Sequence, residues 1–204
     1  PVKWTSERGE AHLSDAHRRD NLTEAELGLD RQGRFLALRV RTVVNLGAYL
    51  TLIGTGPAVV NLGTLAGVYT TPAIHVDVTG VFSHTNPTRP YRGAGRPEAA
   101  YVIERMIDAA ADALGIDAAE IRRLNTIPPV AMPFKTGLSF VYDCGEFEKN
   151  MDLALGLAGY AGFAERRREA RARGRLRGLG ISNTIERAAA PGIEAAEVRF
   201  DKSG

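Results

Sequence analysis

Cysteine is almost absent from this chain of 204 residues, which has one, Cys144. A single thiol cannot form an internal disulfide, which is compatible with a reducing compartment, and we expect a cytoplasmic location. Long hydrophobic runs are also missing, since none approaches the ~20 residues that a membrane-spanning helix needs. No segment has the pattern of a targeting peptide. We therefore expect neither a signal peptide nor a membrane anchor.

An excess of charge of one sign is missing as well. The formal net charge is +2, with 44% hydrophobic and 25% charged residues. This charge is too small to indicate nucleic acid or a membrane surface as a partner. The composition is that of an ordinary globular protein, and the length allows one large domain or parts of two.

One segment, residues 165–177, is nevertheless rich in arginine. A nucleic-acid site needs aromatic or polar base-reading groups between its charges, and this segment has none. We interpret it as a solvated helix end, with a subunit interface or cofactor phosphates as the alternatives.

The most informative stretch is a glycine-rich loop, residues 89–99, that opens into a helix near Pro97. Its central residues are Tyr91, Arg92, Gly93, Ala94, Gly95 and Arg96. The small residues allow backbone N–H groups to approach a ligand, and the two arginines add positive charge beside a helix N-terminus. This pattern is typical of an anion-binding turn, although a tight loop-to-helix connection with solvated arginines also fits.

The loop, with Thr85-Asn86-Pro87 before it, resembles the active-site loop of the molybdenum hydroxylases, the xanthine dehydrogenase and aldehyde oxidase family. The similarity is closest to large, molybdopterin-binding subunits like that of carbon monoxide dehydrogenase. Further similar segments follow the family's order, at residues 1–5, 46–49, 142–145 and 177–180. Because the family's large subunit is several times longer, we expect this chain to be an internal fragment.

The resemblance implies an α+β fold of hairpin-rich mixed sheets and packed helices, with parts of two molybdopterin-binding domains. Residues 1–141 would be the C-terminal part of the first domain, and residues 142–204 the start of the second. The resemblance also implies that Tyr91, Arg92, Gly93, Ala94 and Gly95 bind a molybdenum-molybdopterin cofactor. Its nucleotide form, for instance the cytosine dinucleotide, stays open, and no metal ligand is expected in this chain.

Members of the family use water to hydroxylate an aldehyde or an N-heterocycle, with a glutamate as general base. We expect the same reaction here, with the general base outside this chain and the fragment alone inactive. Iron-sulfur and FAD-containing subunits would accept the electrons, in a dimer of heterotrimers. The alternative is a non-catalytic phosphate- or partner-binding module that uses the same loop.

Two positions in the loop depart from known members of the family. Gly93 stands where carbon monoxide dehydrogenases carry a cysteine that binds a second metal, which argues against carbon monoxide oxidation. Ala94 stands where purine oxidases carry an aromatic ring that sandwiches a flat substrate, so a purine-like substrate is less supported.

Hydrophobic periodicity predicts most of the secondary structure. Strands are predicted at residues 1–5, 21–29, 36–46, 72–82, 178–185 and 195–200, and helices at 57–65, 97–114, 118–124 and 146–163. In the first hairpin, Leu36, Leu38 and Val40 are expected to line one face. In the helix of residues 97–114, an apolar stripe should face the core and Glu104 should face solvent. Asp117 and Glu120 are expected to form a capping box.

Four polar residues offer weaker candidates for chemistry. His12 and His17 lie five residues apart with no other metal-binding side chain nearby, so we interpret them as surface histidines. His75 and Asp77 share one face of a predicted strand. An acid–base pair is the alternative there, but a solvated strand face is the interpretation that we adopt.

Overall fold

The structure, a computed structural model, describes residues 1–59, 62–186 and 195–203. The strands in this part are β1 (Asn21–Leu29), β2 (Phe35–Asn45), β3 (Ala73–Val81), β4 (Phe134–Lys135) and β5 (Val141–Tyr142). The α-helices are α1 (Arg8–Ser14), α2 (Gly56–Val59), α3 (Arg96–Leu114), α4 (Ala118–Asn125), α5 (Phe147–Leu157) and α6 (Phe163–Ala172). Short 3-10 helices occupy Leu62–Ala66, Pro129–Ala131 and Tyr160–Gly162. Among the described residues, no helix combines the length and apolar character needed to cross a membrane.

The main sheet is mixed and has the strand order β1-β2-β3. Strands β1 and β2 form the predicted antiparallel hairpin, and β3 pairs with β2 in parallel. The hairpin turn is closed by the Asp30 carboxylate, which accepts from the backbone N–H of Gln32 (2.9 Å) and Arg34 (2.8 Å). Gly33 has a φ of +86°, a left-handed conformation that glycine adopts at little cost.

A β-bulge near the start of β2 changes which residues reach the core. Leu27 pairs with Leu38, but Leu29 pairs with Phe35, which leaves Leu36 as an extra residue. Phe35 is therefore buried, whereas Leu36 is 52% exposed. The prediction that Leu36 shares the buried face was wrong, because strict alternation does not reveal a bulge.

Helix α3 packs across one face of the sheet and forms the main core. The predicted apolar stripe is confirmed at Ala99, Ile103, Ile107 and Ala110, although Leu114 at the last turn is 40% exposed. The cluster also includes Ala111 of α3 and joins the helix to residues of β2, of the segment before β3 and of α4, namely Phe35, Leu38, Val40, Leu65, Val68, Tyr69 and Ile121.

Glu104 on α3 was predicted to face solvent, and it is buried instead. The Tyr69 hydroxyl donates to its Oε1 (2.6 Å), and Arg122 Nε donates to its Oε2 (2.9 Å). Arg122 is fully buried and also donates from Nη2 to Asp108 Oδ1 (2.9 Å). Burial and the Glu104 carboxylate raise the pKa of Tyr69, so its hydroxyl stays protonated and donates. Hydrophobic periodicity could not reveal this burial, because Arg122, the ion-pair partner of Glu104, lies 18 residues later in the chain.

Asp117 is the N-cap of helix α4, as predicted. The Asp117 carboxylate accepts from the N–H groups of Ala119 (2.8 Å) and Glu120 (3.2 Å), which satisfies two donors of the first turn. The Glu120 carboxylate accepts from Arg123 (3.4 Å), so only the Asp117 half of the predicted capping box is confirmed. At the other end of α4, Asn125 is buried and accepts from the N–H of Phe35 (2.8 Å), which fixes the helix to the hairpin.

The predicted helix of residues 146–163 is divided in two. Helix α5 ends before Gly159, which has a φ of +59°, and α6 starts at Phe163 after one 3-10 turn. Arg166 bends back and donates to the carbonyls of Gly159 (2.7 Å) and Ala158 (3.0 Å), which satisfies the end of α5. The helix predicted at 57–65 is likewise split into α2 and a 3-10 helix, and residues 60–61 lie outside the described residues.

Three predicted strands are not strands. Residues 1–5 have no regular structure, and residues 178–185 and 195–200 have none of their own either. A strand needs a neighbouring backbone to pair with, and within the described residues none lies beside these segments. Burial still alternates along residues 181–185, with Ile181, Asn183 and Ile185 facing inward. The alternation of buried and exposed residues was therefore predicted correctly, but the pairing with another strand was not.

Removal of one half of the buried ion pair should be costly. We expect Glu104→Ala to lower the free energy of unfolding by about 2–4 kcal/mol, because the buried Arg122 would lose one carboxylate and keep only that of Asp108. The control is Glu26→Ala, which removes an exposed ion pair with Arg39 and should cost less than about 1 kcal/mol. Urea denaturation measures both, and equal losses would contradict the assignment.

Candidate functional site

The glycine-rich loop has an unusual backbone over three consecutive residues. Gly93, Ala94 and Gly95 have φ values of +85°, +42° and +99°, all in the left-handed region. The N–H of Ala94 donates to Tyr91 O (2.8 Å), and the N–H of Arg96 donates to Gly93 O (3.1 Å). The loop is therefore two overlapping turns that lead directly into α3, as the sequence pattern indicated.

Both glycines are required by packing inside the protein. A Cβ atom on Gly95 would lie 2.1 Å from the carbonyl oxygen of Pro57, where α2 supports the loop. A Cβ atom on Gly93 would lie 2.6 Å from the Pro97 ring. The sequence suggested small residues for the approach of a ligand, and the structure adds an internal reason for them.

Two arginines that the sequence analysis did not single out fix the loop from the other side. The guanidinium carbon of Arg18 lies 3.4 Å from the centre of the Tyr91 ring, a cation–π contact. Arg19 Nη2 donates to the carbonyl of Arg92 (2.6 Å), and Arg19 Nε lies 3.5 Å from Glu98 Oε1. Arg19 thus bridges the two ends of the loop.

The segment that carries these arginines is itself joined to the chain just before the loop. The N–H of His17 donates to Pro87 O (2.9 Å), and the N–H of Arg89 donates to His17 O (3.0 Å). Asn86 Nδ2 lies 3.3 Å from the His17 ring nitrogen. His17 therefore acts in a structural connection, and the described residues hold no group of three or more His, Cys, Asp or Glu side chains placed to bind a metal.

A groove of about 710 Å³ begins beside the loop, at Arg96. Arg96 Nε lies 2.9 Å from Glu186 Oε1, although this ion pair does not have hydrogen-bond geometry. Thr64 Oγ1 is buried at the groove without a hydrogen-bond partner among the described residues. Burial raises the pKa of Tyr142 to about 12, so its hydroxyl stays protonated and donates to the Gly67 carbonyl (2.7 Å).

Cys144 also lines this groove and is exposed. The hydrogen bond and the negative charge of Asp143 raise the pKa of the Cys144 thiol. A raised pKa keeps the sulfur protonated, so Cys144 is not prepared to act as a nucleophile.

Positive charge predominates around the loop. Arginines outnumber carboxylates there, with Arg18, Arg19, Arg92 and Arg96 facing Glu98 and Glu186. Arg18 Nη1 is buried without a hydrogen-bond partner among the described residues, whereas Arg96 Nε is in ion-pair contact with Glu186. The spare donor of Arg18 and the excess positive charge fit an anionic group such as a phosphate.

The other polar pair noted in the sequence lies on β3, away from the loop. His75 and Asp77 are both exposed, and Asp77 is 3.7 Å from Arg41 on the neighbouring strand. The interpretation as a solvated strand face is confirmed.

Comparison with known families identifies this arrangement. Residues 1–126 match the family model described as the molybdopterin cofactor-binding domain. The chain belongs to this family. The match includes β1 to β3, the glycine-rich loop, α3 and α4. The resemblance to molybdenum hydroxylase large subunits is thereby confirmed.

Curated relatives are much longer than this chain. The 6-hydroxypseudooxynicotine dehydrogenase complex subunit gamma of Paenarthrobacter nicotinovorans is 30% identical over 209 residues, covering 100% of this chain and 26% of the relative. The carbon monoxide dehydrogenase large chain of Hydrogenophaga pseudoflava is 34% identical over 163 residues, covering 78% of this chain and 20% of the relative. The chain spans about a quarter of the length of these relatives or less.

Solved structures share the fold. The structure is similar to quinoline 2-oxidoreductase from Pseudomonas putida 86, with a TM-score of 0.78 and 33% identity over 84% of this chain and 22% of that one. Carbon monoxide dehydrogenase from Oligotropha carboxidovorans gives a TM-score of 0.73 with 29% identity, over 84% of this chain and 22% of that one. The predicted α+β class with mixed sheets and packed helices is confirmed.

The contact between the loop and α2 predicts a strong effect of one methyl group. We expect Gly95→Ala to lower the free energy of unfolding by about 3 kcal/mol or more, because the new Cβ meets the Pro57 carbonyl and the φ is left-handed. Gly115→Ala is the control, since its φ is +66° but its Cβ would meet open space. The control should lose only about 1–2 kcal/mol. Urea denaturation gives both values, and equal losses would show that the Pro57 contact is unimportant.

Proposed function

We propose that this chain is part of the large subunit of a molybdenum-dependent oxidoreductase. Its reaction would be the hydroxylation of an aldehyde or an N-heterocycle, with water as the oxygen source. The observation that carries this proposal is the match of residues 1–126 to the molybdopterin cofactor-binding family, which includes the whole glycine-rich loop. Relatives named nicotine 6-hydroxylase and quinoline 2-oxidoreductase support the heterocycle as a substrate class.

The loop residues Tyr91, Arg92, Gly93, Ala94 and Gly95 would lie against the molybdenum-molybdopterin cofactor. The spare donor of Arg18 and the positive charge around the loop fit the phosphate of such a cofactor, and the cytosine dinucleotide form belongs to the proposal. When bound, the cofactor supplies two-electron redox chemistry. The chain itself would orient the cofactor through a loop whose shape is fixed on both sides, by Pro57 and by Arg19.

The other parts of the enzyme complete the proposal. Residues 1–141 would belong to the first cofactor-binding domain, and residues 142–204 would begin the second. The general-base glutamate would come from elsewhere in the protein, since Glu98 and Glu186 already face arginines here. Iron-sulfur and flavin subunits would accept the electrons, in a cytoplasmic dimer of heterotrimers of the xanthine dehydrogenase and aldehyde oxidase type.

Two loop residues narrow the substrate. Gly93 offers no sulfur for a second metal, so we propose that carbon monoxide is not oxidised. Ala94 offers no aromatic ring for stacking, so we propose that the substrate is an aldehyde or a heterocycle that is not sandwiched by a ring at this position.

The test uses the full-length protein with its partner subunits. Elemental analysis should find stoichiometric molybdenum, acid release should give a cytosine nucleotide, and a panel of aldehydes and N-heterocycles should contain a substrate. Protein that lacks molybdenum and turns over no compound, but binds inorganic phosphate, would support the non-catalytic phosphate- or partner-binding module instead.

Substrate preference should depend on residue 94. We expect Ala94→Phe to raise kcat/KM for flat aromatic substrates about tenfold relative to aliphatic aldehydes, because the ring supplies a stacking face. Ala94→Leu is the control, since it adds bulk at the same left-handed position without a ring. If the two variants change the ratio equally, stacking is not the cause. The measurement is kcat/KM across the panel.

A further inference from the structure

Residues 178–186, which we call the strap, cross the surface of α3 and α4 as an extended segment without a strand partner among the described residues. Its backbone groups form hydrogen bonds with side chains instead of with a neighbouring strand. Arg122 Nη2 donates to the carbonyl of Ile181 (3.1 Å), and the N–H of Asn183 donates to Glu104 Oε2 (3.2 Å). The buried ion pair of Glu104 and Arg122 therefore binds the strap through its backbone.

The strap ends beside the glycine-rich loop. Ile185 packs against the main core, and Glu186 lies 2.9 Å from Arg96 Nε. Arg96 directly follows Gly95, the last left-handed residue of the loop. Helix α3 thus holds the strap at Glu104 and meets it again at Arg96, its own first residue.

The two attachments differ in strength. The Glu186 side chain is 61% exposed, and ion pairs in contact with water contribute little on their own. The Glu104–Arg122 pair is 7% and 0% exposed, and hydrogen bonds from charged, buried groups are much stronger. Of these two attachments, the buried pair is therefore the stronger one.

We propose that Glu104 and Arg122 are positioning residues that fix the strap to α3 and so hold Glu186 against Arg96. This arrangement sets the charge beside the loop, because Glu186 neutralises an arginine that would otherwise attract anions. The consequence for the enzyme rests on the proposed function, whereas the attachment of the strap is a property of this chain.

The test compares two substitutions at one residue in the full-length protein with its partner subunits. Asn183→Pro removes the N–H that donates to Glu104, whereas Asn183→Ala keeps it. For Asn183→Pro we expect amide exchange in residues 181–186 to rise about tenfold or more, since the strap opens locally. Calorimetry should also show inorganic phosphate binding about fivefold tighter than to the wild type, since Arg96 loses its counter-charge. Asn183→Ala should match the wild type in both measurements.

Glu186→Gln separates charge from position. It should reproduce the tighter phosphate binding of Asn183→Pro while leaving amide exchange at residues 181–183 unchanged. If Asn183→Pro does not yield folded protein, Arg122→Lys replaces it, because a lysine keeps the charge near Glu104 but cannot also reach the Ile181 carbonyl.

Several results would overturn the proposal. Unchanged exchange in the proline variant, or equal exchange in the proline and alanine variants, would show that the buried pair does not hold the strap. Faster exchange with unchanged phosphate binding would show that the strap does not control Arg96. Absence of molybdenum from the wild type would refute the proposed function alone, since exchange and phosphate binding are measured without turnover.

Discussion

The buried ion pair between Glu104 and Arg122 is the contact on which most of the architecture depends. It joins α3 to α4, and Glu104 also accepts a hydrogen bond from the Tyr69 hydroxyl in the segment before β3. Arg122 donates a further hydrogen bond to the backbone of the strap. A buried pair of this kind does not by itself make a protein more stable than an apolar core would. Its role here is to specify which elements pack together, because its further hydrogen bonds go to particular neighbours, the Tyr69 hydroxyl and the Ile181 carbonyl.

The conformation of the glycine-rich loop likewise depends on contacts with other elements. It has few atoms of its own, and its shape comes from neighbours on both sides: the Pro57 carbonyl at Gly95 and the Arg19 guanidinium at the Arg92 carbonyl. Arg18 covers the Tyr91 ring. A site built on such a loop is rigid because other elements hold it, which is what precise placement of a cofactor requires.

Features that depend on near neighbours in the chain could be predicted from the sequence. The hairpin of β1 and β2, the stripe of α3 and the cap at Asp117 each follow from residues a few positions apart. The opening of the glycine-rich loop into a helix near Pro97 could be predicted as well, because proline fits the first helical turn. The left-handed conformation of Ala94 could not, since it depends on the contacts around the loop. The resemblance to the cofactor-binding family rested on the glycine-rich loop and on other short segments of the chain.

What could not be predicted depends on distant partners. Glu104 has the spacing of an exposed residue until Arg122 is placed beside it, and nothing in the pattern of Arg18 indicates that it stacks on Tyr91. The strap has a strand's alternation, but its hydrogen bonds go to side chains. Which groups bind the strap depends on tertiary packing, and the pattern of a single sequence does not reveal them.

The bond between Arg19 and Arg92 joins residues 73 positions apart. Contacts of such long range form late, because the chain between them must first be ordered. Here that chain includes the whole three-stranded sheet. The loop therefore has its final shape only when this sheet is in place. A ligand that needs this shape would thus bind the folded domain and not the unfolded chain.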